Sequence, residues 1–182
     1  MKIKYFFFFV YLLTASTYAC NNSSISKYTG SNSNHLIQVL NSEKIHKGSS
    51  IYFISDNNEH PEVKALLAPD RCHPESSITF ETFSYDGSIA NIESVFWGKG
   101  LYKDNLFIIV SWVYNLDGVN TVGKYYSVYA YNYSESEITK DTDLTNEFGE
   151  GQDGLMEGKP VQYKFKTAEN VWSYLKEVKA EH

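Results

Sequence analysis

The residues best equipped for chemistry in this chain are few and scattered. Asp70-Arg71-Cys72-His73 is the densest reactive cluster. A thiol beside an imidazole is the raw material of a cysteine nucleophile. Adjacent residues on a chain point in different directions, however, and working pairs are drawn together from distant positions. Asp141-x-Asp143-x-Thr145-x-Glu147 sets oxygen ligands at alternate positions, as a calcium loop does. The glycine such a loop needs at its sixth position is Asn146, and Gln152 stands where the twelfth-position glutamate belongs. No two of His35, His46, His60, His73 and His182 lie four apart, so the zinc-binding helix of a metalloprotease is excluded. G-x-S-x-G, H-E-x-x-H and a phosphate-cradling glycine loop are all missing. S-x-x-K occurs at Ser24 to Lys27 and Ser173 to Lys176, and S-D-N at Ser55 to Asn57, but without K-T-G they make no acylating site. The residues therefore predict no catalytic centre, no metal and no cofactor.

Recognition is better represented than reaction. Tyrosine is abundant at 15 residues, and residues 124–133 place Tyr125, Tyr129, Tyr131 and Tyr133 on one parity of a strand-like run. If the other parity, with Tyr126, Val128 and Ala130, faces a core, the first exposes a tyrosine row. Tyrosine offers a large contact area with a polar end, which suits protein interfaces. Residues 134–158 follow directly and hold eight carboxylates against one lysine, Lys140. They read as a long acidic loop, and such loops are often functional. Tyr125, Tyr129, Tyr131, Tyr133, Asp141, Asp143 and Glu147 are accordingly the candidate partner-binding residues, facing a protein with a basic cleft. With 22 acidic against 16 basic residues the chain carries a formal −6, which disfavours a nucleic-acid backbone as partner.

The elements that must position these residues are mostly strands. Residues 36–40, 51–54, 78–83, 92–97, 106–114 and 124–133 are apolar or β-branched runs of strand length. Asp86-Gly87 between the third and fourth signals a hairpin, and the last four runs together suggest an antiparallel meander. Residues 106–114 are apolar on both parities, which predicts a strand covered on both faces. Pro61 at a first-turn position predicts a short helix over 61–67, and residues 161–166 a last strand. Ala168, Val171, Trp172, Leu175 and Val178 recur at helical spacing behind Thr167, predicting an amphipathic helix over 167–179. The fold class is therefore α+β: a strand-dominated antiparallel sheet or small sandwich with a C-terminal helix packed on it.

The first nineteen residues read as a signal peptide: Lys2 and Lys4, an apolar run from Tyr5 to Leu13, then small residues to Ala19. That run is too short to span a bilayer, which takes about 20 apolar residues. Thr17-Tyr18-Ala19-Cys20 resembles a bacterial lipobox, although leucine and a small residue are usual where Thr17 and Tyr18 stand. The resemblance implies lipidation of Cys20 and attachment to a membrane through that lipid. Asn21, where an acidic residue would resemble an inner-membrane retention signal, implies sorting to the outer membrane. Otherwise Cys20 and Cys72, the only cysteines, can close a disulfide worth about 4 kcal/mol in the chain-entropy model. Residues 20–34, rich in Asn and Ser, read as a flexible tether, and residues 35–182 as a single globular domain.

These readings converge on an exported, periplasmic binding protein, an inhibitor or immunity protein that occludes a toxin or cell-wall hydrolase. The alternatives are a structural or assembly lipoprotein of the cell envelope, and an enzyme with an unrecognised site. The leader reading predicts a mature chain that begins at Cys20. Intact mass of the protein recovered from its native host tests this, and a retained Met1 refutes it.

Overall fold

Apolar side chains on both parities of residues 106–112 leave the middle of that strand no solvated face, so something must cover each side. The computed structural model describes residues 23–31, 34–135 and 137–180. The signal-peptide reading and Cys20 lie outside the described residues. The elements are α1 (Ser23–Ser31), β1 (His35–Asn41), β2 (Ser50–Ser55), β3 (Val63–Ala68), β4 (Ile78–Phe83), β5 (Asn91–Lys99), β6 (Asp104–Leu116), β7 (Thr121–Tyr133), β8 (Ile138–Lys140), α2 (Thr142–Phe148), β9 (Glu150–Met156), β10 (Lys159–Val161) and α3 (Ala168–Ala180). The chain is strand-dominated, with antiparallel sheets and a C-terminal helix, as expected. One sheet has the order β1-β2-β3-β4; the other runs β10-β9-β7-β6-β5, with β8 on the far end of β7.

The sheets face one another across the main core. Phe53, Val63, Leu67 and Phe83 from the four-stranded sheet meet Leu106, Ile108, Val110, Trp112 and Tyr131 from the six-stranded one. The opposite parity of β6 and β7, including Phe107, Ile109, Val128 and Ala130, packs under Leu144 and Phe148 of α2 and Val171 and Leu175 of α3. Thr167 caps α3 by accepting the amide of Asn170 at 3.2 Å. On the far side, Ile25 of α1 covers Tyr52, Ile54, Leu66 and Ala68. The result is four layers, helix, sheet, sheet, helix, with each buried Phe or Ile contributing about 1.5–3 kcal/mol.

Six local expectations are corrected. Residues 61–67 contain β3 rather than a helix, because Val63, Ala65 and Leu67 pack into the core while Leu66 and Ala68 meet α1. Burial on both faces overrides the helix propensity of Ala and Leu. The Asp86-Gly87 turn does not join a hairpin, since β4 and β5 belong to different sheets. The meander is β5-β6-β7 alone. Within 20–34, Ser23–Ser31 is helical and docked: Ile25 is 8% exposed, and Thr29 bonds back to the Ile25 carbonyl at 3.0 Å. Ile25, Tyr28 and Thr29 share a helix face, a spacing that a count of Asn and Ser conceals. The acidic stretch 134–158 folds as β8, α2 and β9, since Ile138, Leu144 and Phe148 are buried while the carboxylates stay outside. The last strand is β10, Lys159–Val161; beyond it Tyr163 and Phe165 turn inward beneath α3.

Two contacts hold this arrangement in register. Gly123 of β7 faces Gly154 of β9, both at positive φ, and a Cβ on either lands 2.2–2.3 Å from a facing carbonyl oxygen. Only glycine lets the two strands approach there. Across the sandwich, Glu81 of β4 accepts the Tyr131 hydroxyl at 2.8 Å and the Lys140 ammonium at 2.6 Å, tying one sheet to the other.

Burial, reinforced by the Glu81 carboxylate, pushes the Tyr131 hydroxyl above its ordinary 10.0; burial and Glu150 do the same to Tyr125 and Tyr163. A group whose folded value is raised contributes its stability in full below the unfolded value and loses it as pH rises further. The protein should therefore unfold progressively above about pH 10. Tyr131→Phe should cost about 1–2 kcal/mol at neutral pH and make the alkaline fall shallower. Urea unfolding followed between neutral and alkaline pH checks both; an unchanged alkaline slope in the variant refutes the assignment.

Candidate functional site: an acidic cleft beside the β5–β6 turn

The turn from β5 to β6 closes when the Gly100 amide donates to the Lys103 carbonyl at 2.8 Å. Leu101 tucks against the outer core beneath the helices. With one side of the turn pinned, Tyr102 projects into solvent at 91% exposed. Opposite it, Asp141 starts α2: one carboxylate oxygen accepts the Leu144 amide at 3.1 Å, a helix cap. The other oxygen is reached by the side-chain amide of Asn105 at 3.4 Å. Asn105 is 1% exposed and also donates to the Tyr131 carbonyl and to Asn132. It couples the paired strands to the start of α2.

Between turn and helix lies a cleft of about 620 Å³ whose lining includes Tyr102, Lys103, Asn132, Asp141, Asp143 and Glu147. Asp143 and Glu147 lie four apart on α2 and so share a face. Glu147 also accepts the Tyr174 hydroxyl of α3. Three carboxylates against Lys103 leave the cleft with an excess of two negative charges. Such a cleft attracts cationic groups, and Tyr102 beside it supplies an aromatic surface on which a cation or an apolar side chain can rest.

Three candidate residues, Asp141, Asp143 and Glu147, thus meet in one place. The four tyrosines do not form the expected exposed row. Tyr131 is fully buried. Tyr125, Tyr129 and Tyr133 are half-buried against the inter-sheet core, where Tyr129 packs on Phe83 at 5.2 Å and Tyr133 on Trp97 at 5.0 Å. One parity of β7 is indeed core, but so is the other, because the second sheet covers what a single-sheet reading leaves open. Tyr102, Lys103, Asn105 and Asn132 escaped the reading of the sequence. The available signal was an aromatic residue at the tip of a glycine-started turn between two strand runs.

The remaining motifs resolve into local structure. Cys72 is disulfide-bonded and so is not the unpaired thiol a lipidated Cys20 would leave. Asp70 accepts the Cys72 amide at 2.8 Å, and His73 pairs with Glu75 at 2.9 Å on the surface, where the bond to Glu75 raises the imidazole's affinity for a proton. Thr145 bonds Ala130 of β7, away from any loop-borne ligand set. Among the described residues, no three His, Cys, Asp or Glu side chains gather as metal ligands. No described helix is long and apolar enough to cross a membrane.

Gly100 is packed where a methyl group cannot go: an added Cβ sits 2.2 Å from Asn105 Oδ1 and 3.0 Å from Leu144. Gly100→Ala should displace Asn105, loosen the cap of α2 and cost about 1–3 kcal/mol. Gly118→Ala, with nothing within 4 Å, should stay within about 0.5 kcal/mol of the parent. Thermal melts of the two variants compare these directly, and equal melting temperatures overturn the packing argument.

No family model, curated protein or solved structure gives a significant match to the chain, so its functional reading rests on the cleft itself.

Proposed function

We propose that the chain is an exported binding protein that acts by occlusion, an inhibitor or immunity protein of the bacterial periplasm whose target is a toxin or cell-wall hydrolase with a basic cleft. The observation that carries this reading is Tyr102, 91% exposed beside a cleft lined by Asp141, Asp143 and Glu147. Carboxylates at a rim steer a cationic surface into place, and a protruding aromatic residue anchors it once there. The leader-like N-terminus supports export. The disulfide at Cys72 supports an oxidising compartment.

A lipoprotein that scaffolds the envelope is the competing reading. The lipid and a bridge to Cys72 would both use the sulfur of Cys20, the only other cysteine. The bonded state of Cys72 therefore favours the bridge over the lipid.

Kinetic binding to a target recovered by native pull-down tests the cleft. Asp143→Asn with Glu147→Gln should slow association several-fold at low salt and flatten its salt dependence, leaving dissociation nearly unchanged. Tyr102→Ala should instead speed dissociation, by about 1–3 kcal/mol of binding free energy. Asp141 is left intact in this test because it caps α2. Unchanged rates in both variants, with folding preserved by circular dichroism, place the interface elsewhere.

A further inference from the structure

The free strand edges of the two sheets are not treated alike. β5 carries Glu93 and Lys99. β10 is three residues long and contains Lys159 and Pro160, and β8 is equally short and ends in Lys140. β4 turns Glu81 inward to Tyr131 and Lys140. Charge, proline, shortness, an inward-pointing charge and a bulge are devices that keep an edge from pairing with another chain. β1 uses only the last, near its start, and none of the first four. It runs His-Leu-Ile-Gln-Val-Leu-Asn and has neither an acidic residue nor a lysine, arginine or proline. It also exposes Leu36, Ile37 and Val39, at 37%, 42% and 47%. Its one irregularity is a bulge at Ile37; Gln38 to Asn41 pair in unbroken register with β2. Among the described residues, β1 has no strand on its other edge.

We propose that β1 is a self-association edge: it pairs antiparallel with β1 of a second copy about a two-fold axis, joining two four-stranded sheets into one of eight strands. A second copy fits better than an unrelated strand for three reasons. An antiparallel edge is complementary to itself under two-fold symmetry, which closes the assembly at a dimer. The chain's net charge of −6 opposes contact between copies over much of the surface, whereas this strand brings no carboxylates together. The exposed aliphatic side chains of one copy meet those of the other, removing from water a patch that otherwise stays exposed. One strand pair buries less than the roughly 1,200 Å² of a standard interface, so the dimer is weak and forms with rising concentration.

Sedimentation velocity on the exported chain, from low micromolar to near millimolar concentration, tests this. A monomer–dimer equilibrium is expected, persisting at raised salt, whereas association through the acidic cleft would weaken. Val39→Lys, which sets like charges across the two-fold, should weaken the dimer about tenfold or more; Ile78→Lys on the β4 edge should leave it unchanged. Amide hydrogen exchange of the unmodified chain gives a readout that needs no variant: β1 amides should slow with concentration, and β4 and β5 amides should not. A monomer at every concentration with constant β1 exchange overturns the proposal, as does a dimer indifferent to Val39→Lys. Neither result bears on the binding reading of the cleft.

Discussion

The pairing of β6 with β7, from Leu106 opposite Tyr131 to Leu116 opposite Thr121, is the contact on which the rest of the molecule depends. Both strands are apolar on both parities through their middle, so the ribbon has no face to offer water. A sheet buried on both sides needs two covers, and the chain supplies them from its two halves. Residues before β5 build the four-stranded sheet that closes one face. Residues after β7 build α2 and α3, which close the other. The N-terminal sheet, itself apolar on its outer side, is closed in turn by α1. The four layers follow from the need to remove apolar area from water on successive faces, a need with no directional preference of its own.

Direction comes from a few polar ties placed where the layers end. Glu81 reaches from β4 to the Tyr131 hydroxyl and to Lys140, so the two sheets cannot slide past one another without unpairing a partly buried carboxylate. Asn105 does the same for the outer layer by joining the Tyr131 carbonyl, Asn132 and the Asp141 cap. Tyr131 thus stands between the two devices: its side chain bonds across the sandwich and its carbonyl takes the amide that reaches α2. The acidic cleft is positioned by the same residues that align the core, which makes its geometry a property of the fold and not of a mobile loop.

The two surfaces with the most to offer another molecule differ in kind. The cleft is charged, with an aromatic tip, and suits a cationic protein surface that arrives by steering. The β1 edge is uncharged and aliphatic and suits a strand, with main-chain hydrogen bonds as the adhesive. They lie on different sheets, one on the six-stranded sheet between turn and helix, the other at the margin of the four-stranded sheet. Use of one leaves the other chemically intact.

By itself the sequence determined the period of most elements. Alternating and continuous apolar runs marked β1, β2, β4, β5, β6 and β7, and helical spacing marked α3, because local sterics and side-chain direction act over a few residues. It also determined that acidic groups concentrate after β7. Only the tertiary structure decided which surface each element meets. Residues 61–67 read locally as helix, and Val63–Ala68 became a strand because both of its faces are covered. The tyrosines of β7 read as an exposed row and became the lining of the core because a second sheet lies over them. Tyr102, unremarked in the sequence, became the most exposed large hydrophobic side chain among the described residues because the turn holding it is pinned by Leu101 and Gly100. The reason is common to all three: periodicity records which residues share a face, while burial is set by chain segments remote in sequence, and no local pattern encodes which of them will arrive.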